Sequence, residues 1–299
     1  MKWEDSKKNY ENYLKLEKSL SQNSVAAYIN DINKLINFSN NSLKITSPDQ
    51  VKLQDLKSFL EWLNECGVST RAQARTISGI KSFYKYLFIE NKISNDPTVL
   101  LESPKIGRKL PCVLTIEEID KLIDAIDLDK PEGQRNKAML EVLYSCGLRV
   151  SELVNLKITN LFFDQGFIKI KGKADKERLV PVSKKAIDEI NKYMNDYRNS
   201  LKISKDSENI IFLNRYGRKL SRVMVFNVIK NLAYKIGLSS KISPHTLRHS
   251  YATHLIKGGA DLRAVQEMLG HESILTTEIY THLDVEYLKS TINQFHPRS

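Results

Sequence analysis

Cysteine is scarce in this chain of 299 residues: Cys66, Cys112 and Cys146 are an odd number at no paired spacing. That excludes a disulfide-stapled secreted fold and suits a reducing, cytoplasmic setting. No run of about 18 apolar residues occurs, so no membrane-spanning helix is expected. The stretch from Met1 to Tyr13 is polar and lacks the apolar core of a signal peptide. Acidic residues are outnumbered, 35 against 46 Lys and Arg, for a net charge of +11 and a pI near 9.3. An excess of this sign makes nucleic acid the first partner to consider, because neutralising phosphates releases counterions. Hydrophobic content of 41% and charged content of 27% describe an ordinary globular protein, long enough for two cores.

Residues 1–102 read as four helices without strands, a small bundle. Val25, Tyr28, Ile29, Ile32, Leu35 and Ile36 repeat at helical spacing, as do Leu56, Phe59, Leu60 and Leu63. A long helix from about Thr70 to Glu90 buries Ile77, Ile80, Phe83, Tyr84 and Leu87. Arg71, Arg75, Lys81 and Lys85 lie on or near it, placed either to contact phosphates or to solvate its outer face. Residues 103–112 hold basic residues with Pro and Gly and mark a linker. The second domain, 113–299, opens with Thr115 and Glu118 in capping-box spacing. Helices are expected at about 116–127 and 132–145. The period then changes to two, so that residues 167–171 and 177–182 form a hairpin with Lys173 in its turn. Helices resume at about 184–200 and 221–237.

Five of the six histidines fall between His245 and His282. Ser243 followed by Pro244 reads as an N-cap with proline at the first helical position. His245 and Arg248, three apart, leave one face of that helix. Gly258 and Gly259 close it, Asp261 caps the next helix (262–269), and Gly270 ends that one. His271 stands just past the end, and Ser273 can cap a last short helix carrying Tyr280. Cationic donors around a tyrosine are what a site needs to stabilise an anion, such as a phosphate, while a phenolic oxygen attacks it. His245 and His249 are also at zinc-ligand spacing, but no acidic residue stands between them as a metalloprotease helix requires. His249 and His254 read as core or cap histidines. Val285, Leu288, Ile292 and Phe295 form one apolar stripe on a terminal helix, able to pack on its own domain or on a neighbouring subunit.

Arg149, Lys173, His245-x-x-Arg248, His271 and Tyr280, in this order and at these separations, resemble the tyrosine recombinases, and most closely the bacterial Xer site-specific recombinases. The strings from Gly147 to Leu153, Pro244 to His249, Leu269 to His271 and Tyr280 to His282 agree with that family. So do Ser21 to Ser24 with Tyr28 and Asp31, and Phe295 to Arg298 at the other end. The resemblance implies a mainly α protein: a four-helix, SAM-like core-binding bundle, then a mainly helical catalytic domain with a small antiparallel β-sheet. It implies DNA cutting and rejoining with Tyr280 as nucleophile, Arg149 and Arg248 on the phosphate, His245 as acid/base partner, His271 as a further donor and Lys173 protonating the leaving oxygen. Glu152, three residues after Arg149 on one helical face, would by its spacing orient that arginine. No metal, nucleotide or other cofactor is implied.

The implied partner is double-stranded DNA at a specific recombination site, clamped between the domains. Four protomers, identical or shared with a related Xer recombinase, would act through a Holliday junction, their terminal helices docking in trans. A cell-division DNA translocase is a further implied partner, and chromosome-dimer resolution the implied purpose. A phage or mobile-element integrase, a non-catalytic sequence-specific DNA-binding protein and a nicking-closing topoisomerase are the rival readings. The compact length, without an added N-terminal arm-binding domain, favours Xer.

Overall fold

Ser21 and Ser69 set the frame of the N-terminal unit, each accepting a backbone N–H from three residues on and so capping a helix. In the computed structural model, which describes residues 1–104, 107, 112–172, 177–238, 242–270 and 282–298, the chain divides into two compact units, Met1–Lys109 and Leu110–Ser299. The first holds α1 (Trp3–Leu16), α2 (Gln22–Phe38), α3 (Leu53–Glu65) and α4 (Thr70–Ile89). Its core is aromatic-rich: Tyr10, Phe59, Phe83 and Tyr84 are fully buried beside Ile32, Leu35, Leu56 and Ile80. Asp31 is buried on α2 and takes hydrogen bonds from Arg75 Nη2 (2.8 Å) and Thr76 Oγ1 (3.0 Å) on α4. Arg75 therefore neutralises a buried carboxylate within its own unit, a use that neither expectation for it anticipated. Gly79 leaves the room this needs, since a Cβ there would sit 3.1 Å from Asp31 Oδ2.

The second unit begins with α5 (Ile116–Asp124), started by the Thr115–Glu118 capping box. It continues through α6 (Gly133–Ser145) and the short α7 (Val150–Val154). A three-stranded antiparallel sheet follows in the order β1 (Leu161–Phe162), β2 (Phe167–Lys171), β3 (Glu177–Pro181). β1 was not expected; two residues are too few to show alternation, and only the left-handed turn at Gly166 marks its return. The expected helix at 184–200 is α8 (Lys184–Tyr193) continued by a π-helical turn, Met194–Arg198. That turn delivers the buried Arg198 guanidinium to the carbonyls of Glu208 and Ile210.

After a stretch of turns with isolated bridges Lys157 to Ile210 and Leu213 to Lys219, four helices follow: α9 (Arg222–Lys235), α10 (Pro244–Gly258), α11 (Leu262–Leu269) and α12 (His282–Phe295). α10 starts at Ser243 with Pro244 at its first position and ends on Gly259 in the left-handed region. Asp261 caps α11 through two backbone N–H groups, and Gly270 ends it, also left-handed. These stops fall where the sequence placed them, because each is a local conformational demand. α12 packs on its own unit, against α10, α11 and β3, with Leu288 and Ile292 in the core and Phe295 over Gly258 and Gly259. His296 follows, buried between the rings of Tyr144 and Tyr251. The Val285 side chain lies outside the described residues, as do the turn at 173–176 and the short helix expected after Ser273.

Among the described residues, no helix is long and apolar enough to cross a membrane. All three cysteines are free, and burial pushes the Cys146 thiol well above its ordinary range.

Candidate active site

α7 is short, and its value lies in its first turn. Arg149 is the residue before the helix, and Glu152 at the third position reaches back to accept the Arg149 backbone N–H at 2.8 Å. The same carboxylate holds the Arg149 side chain, Nη1 to Oε1 at 2.9 Å. Glu152 thus fixes Arg149 twice, from a capping position rather than from a shared helical face. Burial opposes ionisation of this carboxyl, but the hydrogen bonds and charge of Arg178, then the hydrogen bonds of Arg149, more than offset it and hold the pKa below the usual range.

α10 delivers Arg248. Its guanidinium is buried and donates to the carbonyl oxygens of Gly147 (Nη1, 2.6 Å) and Leu269 (Nη2, 2.5 Å), with Nη1 3.9 Å from Glu152 Oε2. Gly147 is required here. Its φ of +57° is left-handed, and a Cβ would fall 2.4 Å from Tyr251 Cδ1. Burial, then the neighbouring charge of Arg149, pulls the Arg248 pKa down to about 10, so it remains a cation at neutral pH. Arg149 Nη2 meanwhile donates to Gly270 O at 3.0 Å. The two arginines, 99 positions apart in sequence (248 less 149), therefore end on adjacent carbonyls and face one carboxylate.

His245 lies one turn before Arg248 on α10 but is exposed, whereas Arg248 is buried, which corrects the expectation that the two leave one face: the Arg248 side is turned into the core. His249 is also exposed, which corrects its reading as a core or cap residue: four positions from His245, it shares that residue's outer face. His254 is buried, with Nδ1 2.8 Å from the Tyr144 hydroxyl, and burial lowers its pKa. Lys173, His271 and Tyr280 lie outside the described residues. Among those described, no group of three or more His, Cys, Asp or Glu side chains is placed to hold a metal ion.

Arg178, on β3, was missing from the sequence-based set. It forms a bidentate pair with Glu152, Nη1 to Oε1 at 2.8 Å and Nη2 to Oε2 at 2.9 Å, and its Nε donates to Met268 O at 3.0 Å. A signal for it exists in the sequence. Arg178 alternates in phase with core-facing Val180, so a cation stands at an inward strand position, where one is buried only if paired. Two positively charged side chains held in a fixed geometry, with their counter-charge already satisfied, make a receptor for an anion with two oxygens.

Comparison with known proteins covers both units. A family model described as the phage integrase family matches residues 112–286, and one described as the phage integrase N-terminal SAM-like domain matches 8–91. Tyrosine recombinase XerD of Listeria innocua is 42% identical over 287 residues, 96% of this chain and 97% of the relative. Tyrosine recombinase XerD of Chlorobaculum tepidum is 43% identical over 299 residues, covering 99% and 97%. Among solved structures, the XerH site-specific recombinase bound to its difH substrate matches with a TM-score of 0.67 at 25% identity, covering 89% of this chain and 78% of that one. The Tn1549 transposon integrase in complex with circular-intermediate DNA shares the fold at a TM-score of 0.74 and 20% identity, covering 96% and 95%.

Proposed function

The chain belongs to the phage integrase family, within the tyrosine recombinases, and from that membership we propose that it cuts and rejoins DNA at a specific site through a 3′-phosphotyrosyl intermediate. The observation that carries the reading is the pairing of Arg149 and Arg248 on adjacent carbonyls around Glu152. The phenolic oxygen of Tyr280 bonds to phosphorus as the P–O5′ bond breaks. The phenolic proton passes to His245 acting as base, and the leaving 5′ oxygen takes a proton from Lys173. The two guanidiniums hold the non-bridging oxygens, with His271 as a further donor, where charge grows as the pentacoordinate state forms. Rejoining is the same exchange with a 5′-hydroxyl of another strand as nucleophile, so the bond energy stays in the phosphotyrosine. Neither metal nor nucleotide takes part.

The DNA partner is supported by the names of the structural neighbours, several of which are recombinases bound to their sites. The units 1–102 and 113–299, joined by 103–112, then act as a core-binding and a catalytic domain on one duplex. Four protomers assemble on paired sites, as one species or with a related Xer recombinase, and α12 links them by leaving its seat on its own unit. Resolution of chromosome dimers in the cytoplasm at cell division, with a DNA translocase as regulator, fits the likeness to XerD proteins; a mobile-element integrase remains the second reading, since the Tn1549 neighbour shares the fold.

Trapping tests the chemistry. The protein incubated with fragmented genomic DNA should give an SDS-stable complex whose attached sequence defines the site. Tyr280→Phe should bind that site and give no such complex, and a covalent band from this variant would remove Tyr280 from its role.

A further inference from the structure

Three successive carbonyls at the C-terminal end of α11 each receive one guanidinium: Met268 from Arg178, Leu269 from Arg248 and Gly270 from Arg149. The three arginines come from β3, α10 and the start of α7, and all lie within 4 Å of the Glu152 carboxylate. The carbonyl end of a helix carries partial negative charge and suits this gathering of cations. Charge counting separates their roles. Three guanidiniums against one carboxylate leave a net of two positive charges, and Arg178 is the cation that occupies both Glu152 oxygens. Without it, the Glu152 charge is balanced by Arg149, already paired at 2.9 Å, and by Arg248 at 3.9 Å, which leaves the pocket a net of one positive charge.

Resting on the recombinase reading above, we propose that Arg178 is a positioning residue that neutralises Glu152, so that the positive charge of Arg149 and Arg248 is left to meet the scissile phosphate. Arg178 touches no DNA. It acts by keeping the pocket's charge at two, which matches the two negative charges of the pentacoordinate state formed from a phosphodiester and a phenolate. Gly270 belongs to the same device, because a Cβ there would fall 3.1 Å from Arg178 Cδ and Nε and displace that side chain.

The test compares two duplexes in single-turnover cleavage, one with an ordinary scissile phosphodiester and one with a methylphosphonate there, which lacks one anionic oxygen. Arg178→Gln should slow cleavage of the phosphodiester by about tenfold to a hundredfold, less than loss of a direct donor, relative to unsubstituted protein. On the methylphosphonate its effect should be no more than about threefold, because less charge develops there. DNA affinity should stay within about twofold, as no phosphate contact is removed. Arg178→Lys keeps the charge without the planar fork and should show the same selectivity at smaller amplitude; it carries the comparison should the glutamine variant not fold. Equal slowing on both duplexes, or none on the phosphodiester, overturns the proposal. Unsubstituted protein that cleaves neither duplex would remove the recombinase reading itself, and this one with it.

Discussion

Arg149 and Arg248 stand on neighbouring rungs of one short ladder, the first on the carbonyl of Gly270 and the second on that of Leu269. Their spacing is thus set by the rise of a helix end rather than by two independent side chains. Gly270 also ends α11 in the left-handed region, so the residue that stops the helix is the one whose carbonyl holds Arg149.

Removing the less buried member of the pair isolates its effect on the reaction. Arg149→Ala should lower the rate of covalent complex formation by about 10²–10³-fold, as expected for one lost donor to developing charge. Equilibrium binding to the site should change by less than about tenfold, since many other phosphate contacts remain. Rapid-quench cleavage set beside a binding titration checks this, and a purely binding defect would deny Arg149 its place on the phosphate.

Gly147 connects folding to chemistry. Gly147→Ala places a Cβ in a left-handed backbone and against the Tyr251 ring, 2.4 Å away in the unrelaxed structure. Strain of this kind and overpacking each cost about 1–3 kcal/mol. Because the Gly147 carbonyl accepts from Arg248 at 2.6 Å, the cleavage rate should fall along with stability. Urea denaturation read with cleavage kinetics tests the link; lost stability with an unchanged rate would break it.

The capping residues were legible because their information is local. Ser243 with Pro244, Gly259, Asp261 and Gly270 each state a conformational requirement within one turn of the chain. Arg149 and Arg248 were legible as part of a residue pattern. Arg178 was legible only as a cation at an inward strand position; its role was not, since its partners Glu152 and Met268 lie 26 and 90 residues away and no short string joins them. His249 was misread for a geometric reason: α10 turns Leu247, Arg248 and Tyr251 inward, which leaves His245 and His249 together outside. The short β1 fell below the length at which alternation can be seen.

Stability should fall with pH before any carboxylate responds. Burial, then the charge of Arg298, depresses the His296 pKa to about 3 in the folded protein. The unfolded chain, near 6.5, takes up the proton first, so stability is full above about pH 6.5 and is lost progressively as pH falls toward 3. At pH 5 the loss from this group is about 2 kcal/mol. Glu152 and Glu189, whose pKa values are lowered, add their losses only below about pH 4.5, where their unfolded forms protonate. Melting curves between pH 7.5 and 5 should therefore show a slope that His296→Gln reduces, the remainder coming from His254, whose pKa burial also lowers. An equal slope in the variant would place the proton uptake elsewhere.

The tail offers the last test, because its seat is built from a buried charge as well as an apolar stripe. Glu141 is fully buried on α6, and Arg298 reaches it at 3.3 Å while also pairing with Asp120; Lys185 completes the group at 3.0 Å. A buried charge left with no partner costs about 3–5 kcal/mol; Lys185 stays on Glu141 when Arg298 is removed, so the loss here falls below that range. Arg298→Ala should therefore destabilise the protein, and Glu141→Gln in the same chain should recover part of that loss. A double-mutant cycle measures the coupling, which should exceed about 1 kcal/mol for a contacting pair. Deleting residues 286–299 goes further, since it withdraws Leu288 and Ile292 from the core. Two core aliphatics contribute about 1.5–3 kcal/mol each, so the truncated protein alone should melt markedly lower. If α12 is also the piece exchanged between protomers, adding a peptide of residues 282–299 should restore the melting temperature, and its failure to bind the truncated unit would confine the helix to its present seat.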